Sequence, residues 1–555
     1  MAALSFRLLI GLLCLLMSIR HTSAQERDLS PAVDKLFAPW ARDVSPGCAL
    51  AVIRDGEIVH QRGYGMADLE NSIPIRSETV FNIASVSKQF TVFLILLLVH
   101  AGLLSLDDDV RRHVPDLPDF GKVITVRHLI HHTSGLREDW SMLTLSGWRT
   151  EDVITRDDVF RLIRRQKTLN FRPGDDYSYC NTGYHLLAQI VQKISGQSLR
   201  QYGETQIFRP LGMTQTVFQD DYRQTIKGRS SSYAQKKGGG FERFLYGAGR
   251  AGPGNLHTSI LDLAKWDQNF YTPKVGNAKV LDDLQRKARL NGGKEIDYAG
   301  GLRLGVYRGL PTVEHSGVAA GYRSVLLRFP EQKFSVIILA NVSSFKPAIM
   351  ARQVADLYLK EQLQPRPPAN MPLPEEILKD FAGEYRFASG LLLSFVADGY
   401  AFFQENDAVR LPLTRMGKSE FVERESGAHF VFSKPDGAPM ALCYIGVGLD
   451  QSGGKVERPK LSADQLGEFT GTFFSPELDT LYAARVRDGK LVLRHRKGEF
   501  ELRPLAADEF STPPGSLFAT LRYVRNDRGE IVGFTVSTPR AWHIRFAKAA
   551  ILETP

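Results

Sequence analysis

Ser85-Val86-Ser87-Lys88 runs almost directly into the apolar stretch Phe90 to Val99. That stretch is too short to span a membrane and reads as a buried core helix, with the serine and lysine on its first turn. Residues three apart on a helix share a face, so the Lys88 ammonium reaches the Ser85 hydroxyl. Ser85 also sits where backbone N–H groups lack intrahelical partners and the positive end of the helix favours negative charge. A serine so placed, deprotonated by a neighbouring amine, attacks an acyl carbon. Taken alone, Ser-x-x-Lys is also a helix cap followed by a surface lysine, so its meaning rests on what else the chain carries.

Three further stretches follow in order. Tyr179-Cys180-Asn181 lies inside the turn-rich segment 171–184, His315-Ser316-Gly317 precedes a strand-like run from Ser324 to Phe329, and between them comes a Gly-rich turn, Gly247 to Gly254. Earlier in the chain is Leu129-Ile130-His131-His132-Thr133-Ser134-Gly135-Leu136. This layout resembles the serine β-lactamase/penicillin-binding-protein-like family (class C, or peptidase S12, type) over roughly residues 30 to 360. Ser-x-x-Lys, Tyr-x-Asn and a Lys/His-x-Gly triplet stand here in the family's order.

The resemblance implies a role for each motif residue. Ser85 would be the nucleophile and Lys88 the group that accepts or relays its proton. Tyr179 would share the base work and protonate the leaving group, and Asn181 would donate its amide to the acyl-side carbonyl of the substrate. Tyr177 competes with Tyr179, but only Tyr179 has an asparagine two residues on. His315 stands where most β-lactamases and transpeptidases carry a lysine. A histidine is mostly neutral at pH 7 and binds a free carboxylate less strongly. The backbone N–H groups of Ser85 and Val318, beside Gly317, would form the oxyanion hole. The His131-His132 segment would frame the site without a catalytic role.

Other chemistries find little support. Gly247-Ala248-Gly249-Arg250-Ala251-Gly252 satisfies G-x-G-x-x-G but lacks the strand–turn–helix context of a dinucleotide site, and reads instead as an active-site loop entering a helix over 259–269. There is no G-x-S-x-G elbow, P-loop or H-E-x-x-H, and no cofactor or metal is expected. The formal net charge of +9 is spread along the chain, without the basic blocks or zinc-finger spacing of a nucleic-acid binder.

A chain of 555 residues, 43% apolar and 24% charged, is long enough for about three or four domains. Residues 1–24 read as a secretory signal peptide, with Arg7, an apolar run from Leu8 to Met17, and Thr22-Ser23-Ala24 as cleavage site. The mature protein is then periplasmic or secreted, without a stable membrane span. Cleavage leaves Cys48, Cys180 and Cys443, with buried thiols favoured and a Cys48–Cys180 pair left open.

Residues 25–362 form the hydrolase domain, α+β, with helices on an antiparallel sheet. Ala49 to Ile53, Asp55-Gly56 and Ile58 onwards make its first hairpin, and Val325 to Phe329 with Ser335 to Leu339 a later one. A Pro-rich linker occupies 363–374. Beyond it, Leu378-Lys379-Asp380-Phe381-Ala382-Gly383-Glu384-Tyr385 is echoed 88 residues later by Leu466-Gly467-Glu468-Phe469-Thr470-Gly471-Thr472-Phe473. Such an echo argues for two copies of one small all-β module, 375–457 and 458–555, each suited to a lipocalin-like closed barrel.

A catalytic domain followed by two barrels is similar in architecture to the D-aminopeptidase branch of the family. The resemblance therefore implies an exported serine hydrolase that releases an N-terminal D-residue from small peptides or amides through an acyl-enzyme. A carboxylesterase is the alternative, then a β-lactamase or D,D-carboxypeptidase. Outside enzymes stand a penicillin sensor that acylates without turnover and a carrier using the barrel interiors. A barrel loop reaching the cleft, and a homodimer, are left open.

Overall fold

The computed structural model describes residues 28–247, 249–365, 373–406, 409–423, 428–434, 439–446, 449–513, 518 and 520–549. The signal segment read at 1–24 and linker residues 366–372 lie outside them.

A six-stranded antiparallel sheet organises the N-terminal part. Its strands are β1 (Cys48–Arg54), β2 (Glu57–Tyr64), β3 (Arg303–Tyr307), β4 (Leu310–Ala319), β5 (Tyr322–Phe329) and β6 (Phe334–Ala340), in the order β3-β4-β5-β6-β1-β2. Asp55 (φ 51°) and Gly56 (φ 86°) turn β1 into β2, both in the left-handed region that a tight two-residue hairpin requires. Cys48 pairs with Ala340, so β1 and β6 lie side by side although far apart in sequence.

Both strands are apolar and buried on both faces, and helices therefore cover the sheet twice. Leu50, Val52, Val336 and Ile338 pack under α1 (Ser30–Phe37) and the closing helix. On the other face, Ala49, Ala51, Ile53, Ile337 and Leu339 belong to one apolar core with α2 (Lys88–His100), α3 (Asp139–Leu145), α4 (Asn181–Ser195) and α5 (Ile260–Asn269), of which α5 lies directly on β1 and β6. The closing helix is α6 (Pro347–Tyr358). Most of α2 is buried, which is why its sequence shows no polar face.

Two closed eight-stranded barrels follow. Helix α7 (Glu375–Phe381) leads into the first, β7 (Gly383–Phe387) through β14 (Leu449–Lys455). Helix α8 (Ala463–Gly467) leads into the second, which runs from β15 (Gly471–Ser475) to a last hairpin, β21 (Ile531–Thr538) and β22 (Ala541–Lys548). The two opening strands keep the 88-residue offset, with Tyr385 and Phe473 buried at equivalent positions. The second barrel shares one continuous apolar core with the helical layer, and the Tyr482 hydroxyl donates to the Leu145 carbonyl at 2.9 Å. Cys48 and Cys180 are buried free thiols, so the pairing left open does not form. Among the described residues no helix is long and apolar enough to cross a membrane.

Candidate active site

Ser85 lies not in the first turn of an α-helix but in a 3₁₀ turn, Ala84–Ser87, from which α2 continues at Lys88. Residues i and i+3 eclipse in such a turn, which sets Lys88 over Ser85 more directly than an α-helix would. The preceding Ala84 has φ 46°, a left-handed conformation that costs a non-glycine residue on the order of 1–2 kcal/mol. Asn82 holds it there. Its Oδ1 accepts from the Ala84 N–H at 2.8 Å while its Nδ2 donates to Asn255 Oδ1 at 3.1 Å.

Lys88 Nζ is fully buried and stands 3.0 Å from Ser85 Oγ, 2.8 Å from Asn181 Oδ1 and 2.7 Å from the Pro253 carbonyl oxygen. Burial brings the Lys88 pKa down to about 7, with Arg540 pushing the same way and Asp139 and Glu138 opposing. Two of the three neighbours are obligate acceptors. A neutral amine spends both N–H bonds on Asn181 and Pro253, leaving its lone pair for the Ser85 hydroxyl, which then donates to it. The Gly-rich turn supplies that Pro253 carbonyl. Gly252 makes the approach possible, since at φ 130° a Cβ there would fall 2.6 Å from the Tyr184 carbonyl oxygen.

Tyr179 is placed by His132, which the sequence reading takes as framing the site without a catalytic role. The Ser178 N–H donates to the His132 carbonyl at 3.0 Å and the Cys180 N–H to His132 Nδ1 at 3.0 Å, so the backbone is pinned on both sides of Tyr179. The His132 and Tyr179 ring centres are 4.3 Å apart. Because Nδ1 accepts, His132 is neutral with its proton on Nε2, and burial followed by the Lys88 charge holds its pKa far down. Burial lifts the Tyr179 phenol to about 12, opposed in part by a hydrogen bond with Ser85 and by Arg540. Lys88 Nζ lies 4.8 Å from the centre of the Tyr179 ring.

His315 is buried on β4. Its Nδ1 donates to the Ser316 carbonyl at 2.7 Å and its Nε2 accepts from the Tyr298 hydroxyl at 3.1 Å. Burial, then Lys88 and Arg303, bring its pKa down to about 3, so it is uncharged and offers no cation to a substrate carboxylate. Gly317 is needed for close approach. A Cβ there would lie 2.3 Å from the Ile83 carbonyl oxygen and 2.4 Å from Ser324 Oγ, and its absence lets β4 press against the turn that carries Ser85. The Val318 side chain is 67% exposed, so its inward contribution is backbone.

These residues surround a cavity of about 600 Å³, lined by Ser85, Tyr177, Tyr179, Asn181, His315 and Val318 among others. Several of its side chains lie outside the three motifs, Glu138 and Arg540 among them. Glu138, at the head of α3, accepts from Asn181 Nδ2 at 2.7 Å and from the Ser141 N–H at 2.7 Å, and orients the Asn181 amide so that Oδ1 faces Lys88. Burial first, and the neighbouring Asp139 second, raise the Glu138 pKa above the carboxylate range. Arg540 enters from the β21–β22 hairpin of the second barrel, with its guanidinium 5.3 Å from the centre of the Tyr179 ring. The loop reaching the cleft is thus this hairpin. Among the described residues no group of three His, Cys, Asp or Glu is arranged to hold a metal ion.

A sheet with helices on both faces, a serine and a lysine where a 3₁₀ turn enters a buried helix, and a tyrosine beside them are the arrangement of the β-lactamase and penicillin-binding-protein type. The model of the Beta-lactamase family matches residues 33–360, more than half the chain, and the chain belongs to that family. It is 30% identical over 317 residues to a D-aminopeptidase of Gluconobacter oxydans, a match spanning 57% of this chain and 59% of that protein. It is 26% identical over 402 residues to penicillin-binding protein 4* of Bacillus subtilis, covering 68% of this chain and 88% of that one. The octameric penicillin-binding protein homologue from Pyrococcus abyssi shares the fold at TM-score 0.55 and 24% identity, over 85% of this chain and 98% of that one.

Proposed function

We propose that the protein is an exported serine hydrolase that forms an acyl-enzyme on Ser85, acting on D-residue peptides or amides as a D-aminopeptidase does. The observation that carries the mechanism is the environment of Lys88, whose lone pair is left facing Ser85 once Asn181 and Pro253 have taken its N–H bonds.

Lys88 takes the Ser85 proton as Oγ attacks the acyl carbon, and the oxyanion forms toward the backbone N–H groups of Ser85 and Val318. Tyr179, uncharged at neutral pH, passes a proton to the leaving amine and recovers one from Lys88, which had taken it from Ser85. The second N–H of Asn181 is directed to the acyl-side carbonyl. Water then attacks the ester by the reverse use of the same groups.

The aminopeptidase reading rests on the D-aminopeptidase relatives, on the two barrels, and on Glu138, the one acidic side chain lining the cavity among the described residues, whose raised carboxyl a substrate ammonium would draw back to the ionised form. Arg540 favours a second reading, a hydrolase of substrates that carry a carboxylate, as a D,D-carboxypeptidase or β-lactamase is. Measuring kcat/KM on D-alanine p-nitroanilide, its N-acetyl form and N-acetyl-D-alanyl-D-alanine, which carries a carboxylate, separates them. Strong preference for the free amine is expected, preference for the acetylated dipeptide over both anilides would favour the second reading, and turnover of a p-nitrophenyl ester alone would leave an esterase. Ser85→Ala should abolish turnover with the fold unchanged, and near wild-type activity in that variant would end the assignment.

A further inference from the structure

We propose that the cleft where the two barrels meet is a second ligand site, separate from the Ser85 cavity, which takes a phosphorylated sugar or polyol. Two adjoining hollows of about 630 and 320 Å³ lie there and share Glu509, Arg522, Thr535 and His543. The smaller also touches the first barrel at Arg386 and Gly390. None of their lining residues belongs to the wall of the Ser85 cavity, so the inference stands whatever that cavity hydrolyses.

Strand pairing builds the floor. On the outer face of the second barrel, Glu509 of β19 (Glu509–Ser511) pairs with Arg522 of β20 (Thr520–Arg525). Arg522 pairs in turn with Thr535 of β21, and Thr535 with Arg545 of β22. Side chains in such a row share one face of the sheet, so Thr535 stands between two arginines. Two residues along the strands a second row carries hydroxyls, Ser511 pairing with Thr520 and Thr520 with Ser537. The first barrel roofs this row at the turn after β7. Gly390 there has φ 81°, and a Cβ on it would fall 2.8 Å from Ser537 Cβ and 2.9 Å from Thr520 Oγ1, so a glycine is what admits the close approach. His543, at φ 53°, is fixed at the edge of the floor by its N–H to Ser537 Oγ at 3.0 Å.

Charge at the mouth is unbalanced. The Arg386 guanidinium pairs with Glu509, and Arg525 is met by Asp508 at 2.9 Å and Glu468 at 3.0 Å. Arg458 is taken by Glu384 and by Ser511 Oγ, each at 2.9 Å. Arg522 and Arg545 are exposed and have no acidic partner among the described residues. Two uncompensated guanidinium groups flanking a hydroxyl suit a doubly charged oxyanion with several acceptor oxygens, a phosphate group rather than a lone carboxylate. The hydroxyl row behind them suits the hydroxyls of a sugar or polyol, and the space is in the range of small-molecule sites.

The test titrates the full chain by calorimetry with glucose 6-phosphate, inorganic phosphate and glucose. Glucose 6-phosphate should bind about tenfold tighter than inorganic phosphate, and glucose should show no binding. Arg522→Ser with Arg545→Ser should weaken glucose 6-phosphate at least tenfold, as the loss of water-screened, charge-assisted bonds implies. Both arginines are exposed and unpaired, so this variant should keep the thermal midpoint of the parent chain. Should it melt early, Arg522→Lys with Arg545→Lys, which keeps the charge without the planar fork, takes its place and should lose part of the affinity. Inorganic phosphate binding as tightly as glucose 6-phosphate would mean an adventitious ion only and would overturn the inference. So would the absence of binding at millimolar glucose 6-phosphate, or an affinity that both double variants leave intact.

Discussion

In the proposed mechanism Lys88 accepts a proton from Ser85, which requires a neutral amine among polar neighbours, and burial and nearby charges oppose each other there. Burial works against the ammonium, Arg540 adds to it, and Asp139 and Glu138 limit the fall, leaving a pKa of about 7. Asp139 itself stays ionised: burial opposes its charge, but His185 and Arg250 outweigh that. The sign of the pH dependence follows. Protonated Lys88 cannot take the Ser85 proton, so kcat/KM should rise about tenfold per pH unit below 7 and level off above it, as single-proton titration requires. His315 and His132 contribute nothing to that limb, since both are already neutral across the range. A pH–rate profile on a non-ionising ester substrate checks this, and a plateau extending below pH 5 would mean that Lys88 is not the base.

At the scale of elements, the nucleophile turn works because β4 can lean on it, and Gly317 is the point of contact. Gly317→Ala would drive a Cβ into the Ile83 carbonyl and Ser324 Oγ, moving either the strand or the turn. Overpacking of this kind costs about 1–3 kcal/mol, and a shift near 1 Å at a reacting centre costs about 100-fold in rate. Activity should therefore fall far more than thermal stability, and equal losses in the two measurements would argue against a positioning role.

The same element shows what the sequence exposes and what it hides. Ser85, Lys88, Tyr179, Asn181 and His315 announce themselves because each belongs to a short motif whose spacing is local. The hairpins at Asp55-Gly56 and 330–333 are legible for the same reason, through turn chemistry and alternation. The 3₁₀ geometry of Ala84–Ser87 is not legible, since its cause is tertiary: Asn82, Asn255 and the missing side chain of Gly317. Glu138 and Arg540 carry no spacing signal at all, and the segment holding His132 shows only that it frames the site, because their contacts are set by which distant segment the fold brings beside Tyr179 and Asn181. The echo of Leu378 to Tyr385 at Leu466 to Phe473 reveals two barrels, yet it is symmetric between them and so cannot say which one reaches the cavity.

At the scale of the molecule, the second barrel is held to the N-terminal helical layer at a junction that places one of its side chains, Arg540, on the cavity wall. The centre of that junction is an ion pair between Arg137, 1% exposed, and Glu477, 5% exposed. Arg137 also donates to Thr168 Oγ1 at 2.7 Å, and Glu477 Oε2 also accepts from the Lys167 N–H at 3.0 Å. Burial alone would push the Arg137 pKa down, and Glu477 is what holds the charge in place. Removing one member of such a pair leaves the other buried and uncompensated, at a cost of about 3–5 kcal/mol, whereas replacing both with apolar residues of similar size is often close to neutral. Glu477→Gln should thus lower the unfolding temperature clearly, and Arg137→Met with Glu477→Leu should recover most of the loss. The junction also carries function, because the Trp542 carbonyl bonded by Arg137 Nε lies two residues beyond Arg540. Weakening it should loosen the β21–β22 hairpin before the hydrolase core melts. Measured together by calorimetry and kcat/KM, Glu477→Gln should lose activity at temperatures where the chain is still folded, while the apolar double variant recovers stability ahead of activity. Activity that followed the folded fraction in both variants would reduce the junction to a structural weld and leave the hairpin rigid without it.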